Sequence, residues 1–436
     1  MYPSNDPFQQ TLIEQYQQHK LPLDLPQEFL QPFYGGGSIA NITPSIAYHL
    51  TQTAFGEGRL LPEIEARVFP RQYRHIALVL IDGLGYDWLC DYLQQEDSRP
   101  TEQRFWQQVL AQAAVTPLTS ISPSTTAAAL TSFWTGVAPA AHGILGYEMW
   151  LKDLGVIGNM IFHSPTEFFS QAGLLYQMGF DVNDFVSAPL IGSHLADLGV
   201  TMRSLQHSSI VNSGLSTMLD KGAQRLPYKP LSDMWFNFTE ALAGQPQQAS
   251  FNWLYWGEHD GLAHRYGADN PRMAAQFEAF GLRLLRTIQR LKQHGPADTL
   301  VLVTADHGHL VTPKDPHYDL NQHKDILETL AMPPSGDNRL PYIYTRPGMR
   351  DTFRQRFYQH WSEDEFAMVP AQDALQAGLF GQGTPHPHSH ERIGDWLVLP
   401  KGGSYLWWSD RPNPIIGRHG GLSRTEMLVP LIAIEI

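Results

Sequence analysis

The sequence predicts an α/β protein with a mostly parallel central sheet and helices on both faces. Three observations carry this expectation. Short, continuous apolar runs recur at strand length, as strands buried on both faces require. Helical patterns alternate with them. The runs end abruptly in Asp, His and Gly. The 436 residues allow roughly three domains of about 150 residues each, or one large α/β unit. A hydrophobic fraction of 42%, with 11 Trp and 21 Phe, supplies a large core and excludes disorder of the whole chain.

Residues 1–45 read as a surface arm, broken by Pro3, Pro7, Pro22, Pro26 and Pro32 and closed by a turn at Gly35-Gly36-Gly37. His75 to Ile81 is the first buried strand. It runs into Asp82-Gly83-Leu84-Gly85, and Tyr86 to Gln94 follows as a helix. Ala113 to Ile121 is the second strand, and Pro123-Ser124-Thr125 opens a helix over Thr126 to Trp134. Ser250 to Trp256 is the third strand. Pro271 to Gln293 has helical periodicity, with Pro in the first turn and Gly295 just past the end. Thr299 to Thr304 is a further buried strand ending in Ala305-Asp306-His307-Gly308-His309. Trp396 to Leu399 and Leu428 to Ile436 complete the pattern. Residues 150–245 and 326–395 alternate weakly and read as insertions. The expected organisation is a catalytic core over 46–325 and 396–436, with 326–395 as a cap.

Composition narrows the function. With 30 Lys and Arg against 43 Asp and Glu, the net charge is −13, so the chain has no overall electrostatic footprint for nucleic acid. One cysteine, Cys90, excludes a disulfide framework and multi-cysteine metal sites; it reads as a small buried residue. Any metal must be held by carboxylates and by some of the 19 His. The longest apolar stretch, Met427 to Ile434, is far short of the roughly 18–20 residues of a membrane span. No Lys or Arg precedes Lys20 and no apolar leader follows, which leads us to expect a cytoplasmic protein.

In parallel sheets ligands gather beyond the carboxyl ends of the strands. Asp82 and Asp306-His307 stand at such ends, and Asp260 and His264 follow a third. Singly, each has a plainer explanation as a polar turn or an ion pair. Asp260 and His264 are four apart, which on a helix places both on one face and suits zinc. His419 sits in the turn Arg418-His-Gly-Gly421. Ser124, Thr125 and Thr126 open a helix, where a hydroxyl is either an N-cap worth roughly 1 kcal/mol or a nucleophile activated by a metal. Taken together, Asp82, Asp260, His264, Asp306, His307 and His419 make two sets of three ligands. With a hydroxyl between them they describe a two-metal site for displacement at phosphorus, the metals about 4 Å apart.

These motifs resemble the alkaline phosphatase superfamily, and within it the nucleotide pyrophosphatase/type I phosphodiesterase family. The resemblance lies in Leu80-Ile-Asp-Gly-Leu84, in Pro123-Ser-Thr-Thr-Ala-Ala-Ala-Leu-Thr-Ser-Phe-Trp-Thr-Gly136 with His142-Gly143, in Asp260-x-x-x-His264, in Thr304-Ala-Asp-His-Gly308, and in His419-Gly-Gly-Leu-Ser-x-x-Glu-Met-x-Val-Pro430. They stand in the family's order from about residue 75 onward. The resemblance implies an alkaline phosphatase-like fold with cap insertions and two divalent ions, zinc by ligand type, although manganese also accepts such ligands. Asp82, Asp306 and His307 would hold one ion, and Asp260, His264 and His419 the other. Counting back from Thr135-Gly136, the nucleophile is Thr126, with Thr125 the alternative. Thr126 would form a phospho-threonine that water then hydrolyses.

The implied substrate is a small phosphate ester, a nucleotide among the candidates, with a diester or pyrophosphate bond cleaved. One departure stands out. The family's Asn after His-Gly, a donor to a phosphoryl oxygen, is replaced by Tyr147. A phosphomonoesterase or phosphonate hydrolase on the same site is therefore an open alternative, as is a non-catalytic metal-binding relative. The Cys-x-Pro-x-Arg context of sulfatases is absent. His386, His388 and His390 read as a loop, and Trp150, Trp253 and Trp256 as core residues with a possible stacking role.

Overall fold

The computed structural model describes residues 6–166, 171–183, 185–244 and 247–436. Its central sheet has seven strands: β1 (His75–Ile81), β2 (Ala113–Thr119), β3 (Thr201–His207), β4 (Gln224–Tyr228), β5 (Ser250–Trp256), β6 (Thr299–Thr304) and β7 (Leu428–Glu435). They are ordered β2–β7–β6–β1–β5–β3–β4. Only β7 runs against its neighbours; the other pairings are parallel. Every residue of β1, β5 and β6 is buried, which is why these three strands read as largely apolar runs, Asn252 being a buried polar exception within β5. Their carboxyl ends lie side by side at the middle of the sheet.

Five helices concern the site and its supports: α1 (Pro7–Gln18), α2 (Tyr86–Glu96), α3 (Thr126–Thr135), α4 (Glu258–Tyr266) and α5 (Pro271–His294). Asn270 caps α5, whose apolar face buries Phe277, Phe280, Leu284 and Ile288. Among the described residues no helix is long and apolar enough to cross a membrane.

Three sequence expectations need correction. The described part of the N-terminal segment is not a surface arm. Asp6 caps α1 with Pro7 at its first position, and Leu12 and Tyr16, one helical turn apart, are buried. The Tyr16 hydroxyl donates to the carbonyl of Pro117 on β2, and Ile39, Ile42 and Ile46 are fully enclosed. The prolines bound the helix instead of breaking it. Secondly, β3 and β4 come from the stretch expected to be an insertion. β3 carries Ser204 and Gln206 among its apolar residues, and these are buried because they bond to Asp220 and to each other. That satisfied polar network interrupts the apolar signal. Thirdly, Trp396–Pro400 belongs to a second sheet.

This second sheet is antiparallel and also has seven strands. In spatial order they are Phe366–Pro370, Trp396–Pro400, Leu340–Ile343, Ser335–Asp337, Glu148–Leu151, Val156–Asn159 and Ser164–Pro165. The segments at 148–165 and 335–400, nearly two hundred residues apart in sequence, therefore share one sheet through the pairing of Gly336 with Glu148.

A buried ion pair fastens this sheet to the loop that carries His419. Arg339 and Glu426 are both fully enclosed and meet at 2.8 Å and 3.1 Å. Glu426 also accepts from the backbone of Gly421 at 3.0 Å. Burial favours the neutral acid, but Arg339 outweighs it and holds Glu426 below the usual carboxylate range. Arg339→Met would strand that charge, so denaturant unfolding should show a loss of about 3–5 kcal/mol.

Candidate two-metal centre

β1 delivers Asp82 to the sheet edge, where the chain turns at Gly83 (φ +78°). Asp82 Oδ2 accepts the hydroxyl of Tyr255 from β5, and Oδ1 is buried with no partner. β6 delivers Asp306 and His307. Asp306 Oδ1 accepts from the backbone of Gly83 and His307, each at 3.0 Å, and Oδ2 again has no partner. His307 Nε2 lies 3.4 Å from Asp82 Oδ1 and 3.4 Å from Asp306 Oδ2. Adjacent strand residues point to opposite faces, so both can face one point only because the chain leaves the strand here. Gly308 makes this possible: a Cβ there would lie 2.0 Å from the carbonyl of Thr425.

The second cluster forms around Asp260. Its Oδ1 is 3.3 Å from His264 Nε2, one turn along α4, and 3.7 Å from His419 Nε2. His309 Nε2 lies nearer, at 2.7 Å. The two ring orientations that matter are fixed from behind. His264 Nδ1 faces the carbonyl of Gly417 at 2.8 Å and His419 Nδ1 that of Ser124 at 3.0 Å. A carbonyl only accepts, so each Nδ1 carries the proton and each Nε2 keeps a lone pair for a ligand. The His307 and His419 rings stack at 3.7 Å and 15°, so the two clusters share a wall.

Electrostatics show why this arrangement calls for cations. Burial, then the charges of Asp306 and Asp260, drive the Asp82 carboxyl well above the usual carboxylate range. Burial raises Asp306 as well, against the pull of His307. Burial would also raise Asp260, but His264, His309 and His419 outweigh it and hold that carboxyl well below the usual range. Two orphaned carboxylate oxygens converging with an imidazole nitrogen, next to a carboxylate ringed by imidazoles, form donor sets that fit two divalent cations. The six residues named from sequence all lie in these clusters, and His309 joins the second. The Asp-His-Gly-His309 spacing was its only sequence signal, and a polar turn explained it equally well.

Thr125 and Thr126 part company. Thr125 occupies the N-cap of α3 but makes no capping bond. Its hydroxyl donates instead to Asp337 Oδ1 at 2.9 Å. Thr126 Oγ1 lies 3.3 Å from His307 Nε2. Above the second cluster opens a cavity of roughly 570 Å³, lined by Thr126, Asp260, His264 and His419 and bounded by Tyr147 and Asp337. Phe162, Trp407 and Trp408 line its outer wall. Trp253 and Trp256 are buried in the core, and Trp150 lies on another surface cavity. Asp337 and the two tryptophans come from weakly patterned segments and had no sequence signal. Cys90 is buried and forms no disulfide.

With this geometry in view, the comparisons identify the class. The family model for type I phosphodiesterase/nucleotide pyrophosphatase matches residues 76–422. The chain belongs to that family, within the alkaline phosphatase superfamily, and is a hydrolase of it. No curated protein matches the sequence. Among solved structures, murine ectonucleotide pyrophosphatase/phosphodiesterase 5 superposes with a TM-score of 0.57 at 16% identity, covering 82% of this chain and 87% of the other. A second structure of that murine protein, inactive and in complex with AMP, gives 0.59 at the same identity and coverage. Phosphonoacetate hydrolase from Sinorhizobium meliloti 1021, in complex with phosphonoformate, gives 0.57 at 19% identity, covering 84% and 92%. At such identities the likeness speaks for the fold.

Two outcomes follow. His309→Gln should weaken retention of the second ion by about 10–100-fold, read as metal content after dialysis against a graded chelator. In chelator, Asp82→Asn should melt at least about 2 °C above wild type at pH 8. A carboxyl whose folded pKa is raised contributes stability at low pH and loses it as pH rises, so that gap should close towards pH 4. Saturating zinc should reverse the order, because the variant lacks a ligand.

Proposed function

We propose that this protein hydrolyses phosphodiester or pyrophosphate bonds of small phosphate esters through a covalent phospho-threonine at Thr126. The observation that carries the proposal is the position of Thr126: at the first residue of α3 its Oγ1 lies 3.3 Å from His307 Nε2 of the first cluster, and it lines the cavity that Asp260, His264 and His419 of the second cluster also line. Asp82, Asp306 and His307 would hold one divalent ion and Asp260, His264 and His419 the other, with zinc favoured by the mixed carboxylate and imidazole donors. Bound there, the ions would supply charge stabilisation for the phosphoryl group and a lower pKa for the threonine hydroxyl.

The chain's own groups do the rest. The hydroxyl of Thr126 attacks phosphorus in line, the leaving alcohol or phosphate departs on the opposite side, and water then cleaves the phospho-threonine. The unpaired N–H groups of the first turn of α3 face the anion. Tyr147, on the cavity wall, takes the place of the family's asparagine; Asn159 donates to its hydroxyl, which leaves the phenolic proton for a phosphoryl oxygen. Phe162, Trp407 and Trp408 give the outer cavity an aromatic lining suited to a nucleobase or another flat substituent. The AMP bound by the murine relative supports a nucleotide as one candidate. The phosphonate hydrolase supports the alternative that a phosphonate is the natural substrate. The single cysteine, enclosed at Cys90, supports a reducing, cytoplasmic setting.

Bis(4-nitrophenyl) phosphate hydrolysis tests the proposal. Chelator should abolish activity and zinc restore it. Thr126→Ala should lose about a thousandfold or more, while Thr125→Val should lose far less. Mass spectrometry of acid-quenched enzyme should find phosphate on Thr126. Undiminished turnover by Thr126→Ala would refute the mechanism.

A further inference from the structure

We propose that Asp337 selects for singly charged phosphodiesters and against doubly charged phosphomonoesters by holding a carboxylate beside the phosphoryl pocket. The inference rests on the phosphoesterase reading above and extends it to the choice of substrate.

Asp337 ends the strand Ser335–Asp337 of the second sheet, yet its side chain reaches the catalytic floor. Its relative exposure is only 8%. Oδ1 accepts the hydroxyl of Thr125, the residue before the nucleophile, at 2.9 Å. Oδ2 accepts the backbone N–H of Tyr147 at 3.3 Å. Gly420, next to His419, packs against it so closely that a Cβ there would fall 2.7 Å from Asp337 Cβ. Asp337 thus touches Tyr147 and the residues next to Thr126 and His419, and it lines the same cavity as all three. Both hydrogen bonds come from neutral donors, so they orient the charge without cancelling it. Burial raises the group to about 6, against the pull of Thr125 and Tyr147, which leaves it ionised at pH 8.

The charge of the substrate decides the effect. A diester carries one negative charge, and a monoester above its second pKa of about 6 carries nearly two. Repulsion from a fixed carboxylate in a poorly solvated pocket grows with substrate charge. Asp337 therefore penalises the monoester more.

The test compares kcat/KM for bis(4-nitrophenyl) phosphate and 4-nitrophenyl phosphate at pH 8, using the zinc-loaded full chain. Asp337→Asn keeps the shape and an acceptor for Thr125, and Asp337→Ser is a second neutral variant in case the first does not fold. Either should shift the ratio about tenfold towards the monoester. Binding of inorganic phosphate, by calorimetry on the same proteins, should tighten by a similar factor. Thr125→Val removes the hydrogen bond but keeps the carboxylate, and its ratio should stay at the wild-type value. Equal loss on both substrates, with unchanged phosphate affinity, would overturn the inference and make Asp337 a positioning residue. A shift in Thr125→Val matching that of Asp337→Asn would overturn it too. If wild type hydrolyses neither ester, the phosphoesterase reading fails; unchanged phosphate affinity in the neutral variants would then still reject the charge effect.

Discussion

Three carboxylates are packed where carboxylates repel one another, and the rest of the structure is arranged around that fact. Asp82, Asp260 and Asp306 arrive at one point because β5, β1 and β6 are neighbours in the sheet and end at the same edge. Asp82 and Asp306 each keep one buried oxygen that no donor of the protein reaches. Tyr255 and the backbone of Gly83 take one oxygen each of Asp82 and Asp306 and leave the other bare. Imidazoles surround Asp260. Buried charge of this density is stable only with compensating cations. Metal binding at these clusters would therefore be coupled to folding: what the fold spends in repulsion would be returned by bound cations.

The second sheet turns this centre into a site with a shape. It contributes Asp337 on one strand, and the hairpin that follows carries Arg339. The Arg339–Glu426 pair locks that hairpin against the loop that holds His419. His419, the wall opposite it and Thr125 are thus linked through a few enclosed polar contacts. Enclosure makes those contacts directional, since a buried polar group that loses its partner is costly. The outer wall, with Phe162, Trp407 and Trp408, has no such anchoring and is where substrates of different shape would be distinguished.

Legibility in the sequence followed local chemistry. β1, β5 and β6 were readable because a strand buried on both faces is mostly apolar until it ends, Asn252 in β5 being the exception. The cluster residues were readable for the same reason, since Asp82 and Asp306-His307 are the first ionisable residues after an apolar run. Asp260 and His264 were placed by helix geometry alone. By contrast, β3 carries a buried Ser and Gln whose partners are distant in sequence, so it did not look like a core strand. His309 looked like one more turn residue until Asp260 was seen 2.7 Å away. Asp337 had no signal, because its role depends on Thr125 more than two hundred residues earlier.

The sequence by itself determined the fold class, the family and the six residues that gather in the two clusters, all of which depend on short segments whose pattern is set by burial and by backbone periodicity. It left Thr125 and Thr126 unresolved, since neighbouring hydroxyls at a helix start are equivalent in one dimension. Only the tertiary structure separated them, turning Thr125 to Asp337 and Thr126 to His307. It alone added His309 and Asp337, and it alone built a single sheet from segments at 148–165 and 335–400. These are contacts between residues far apart in the chain, and their energy depends on a mutual position that no local pattern encodes.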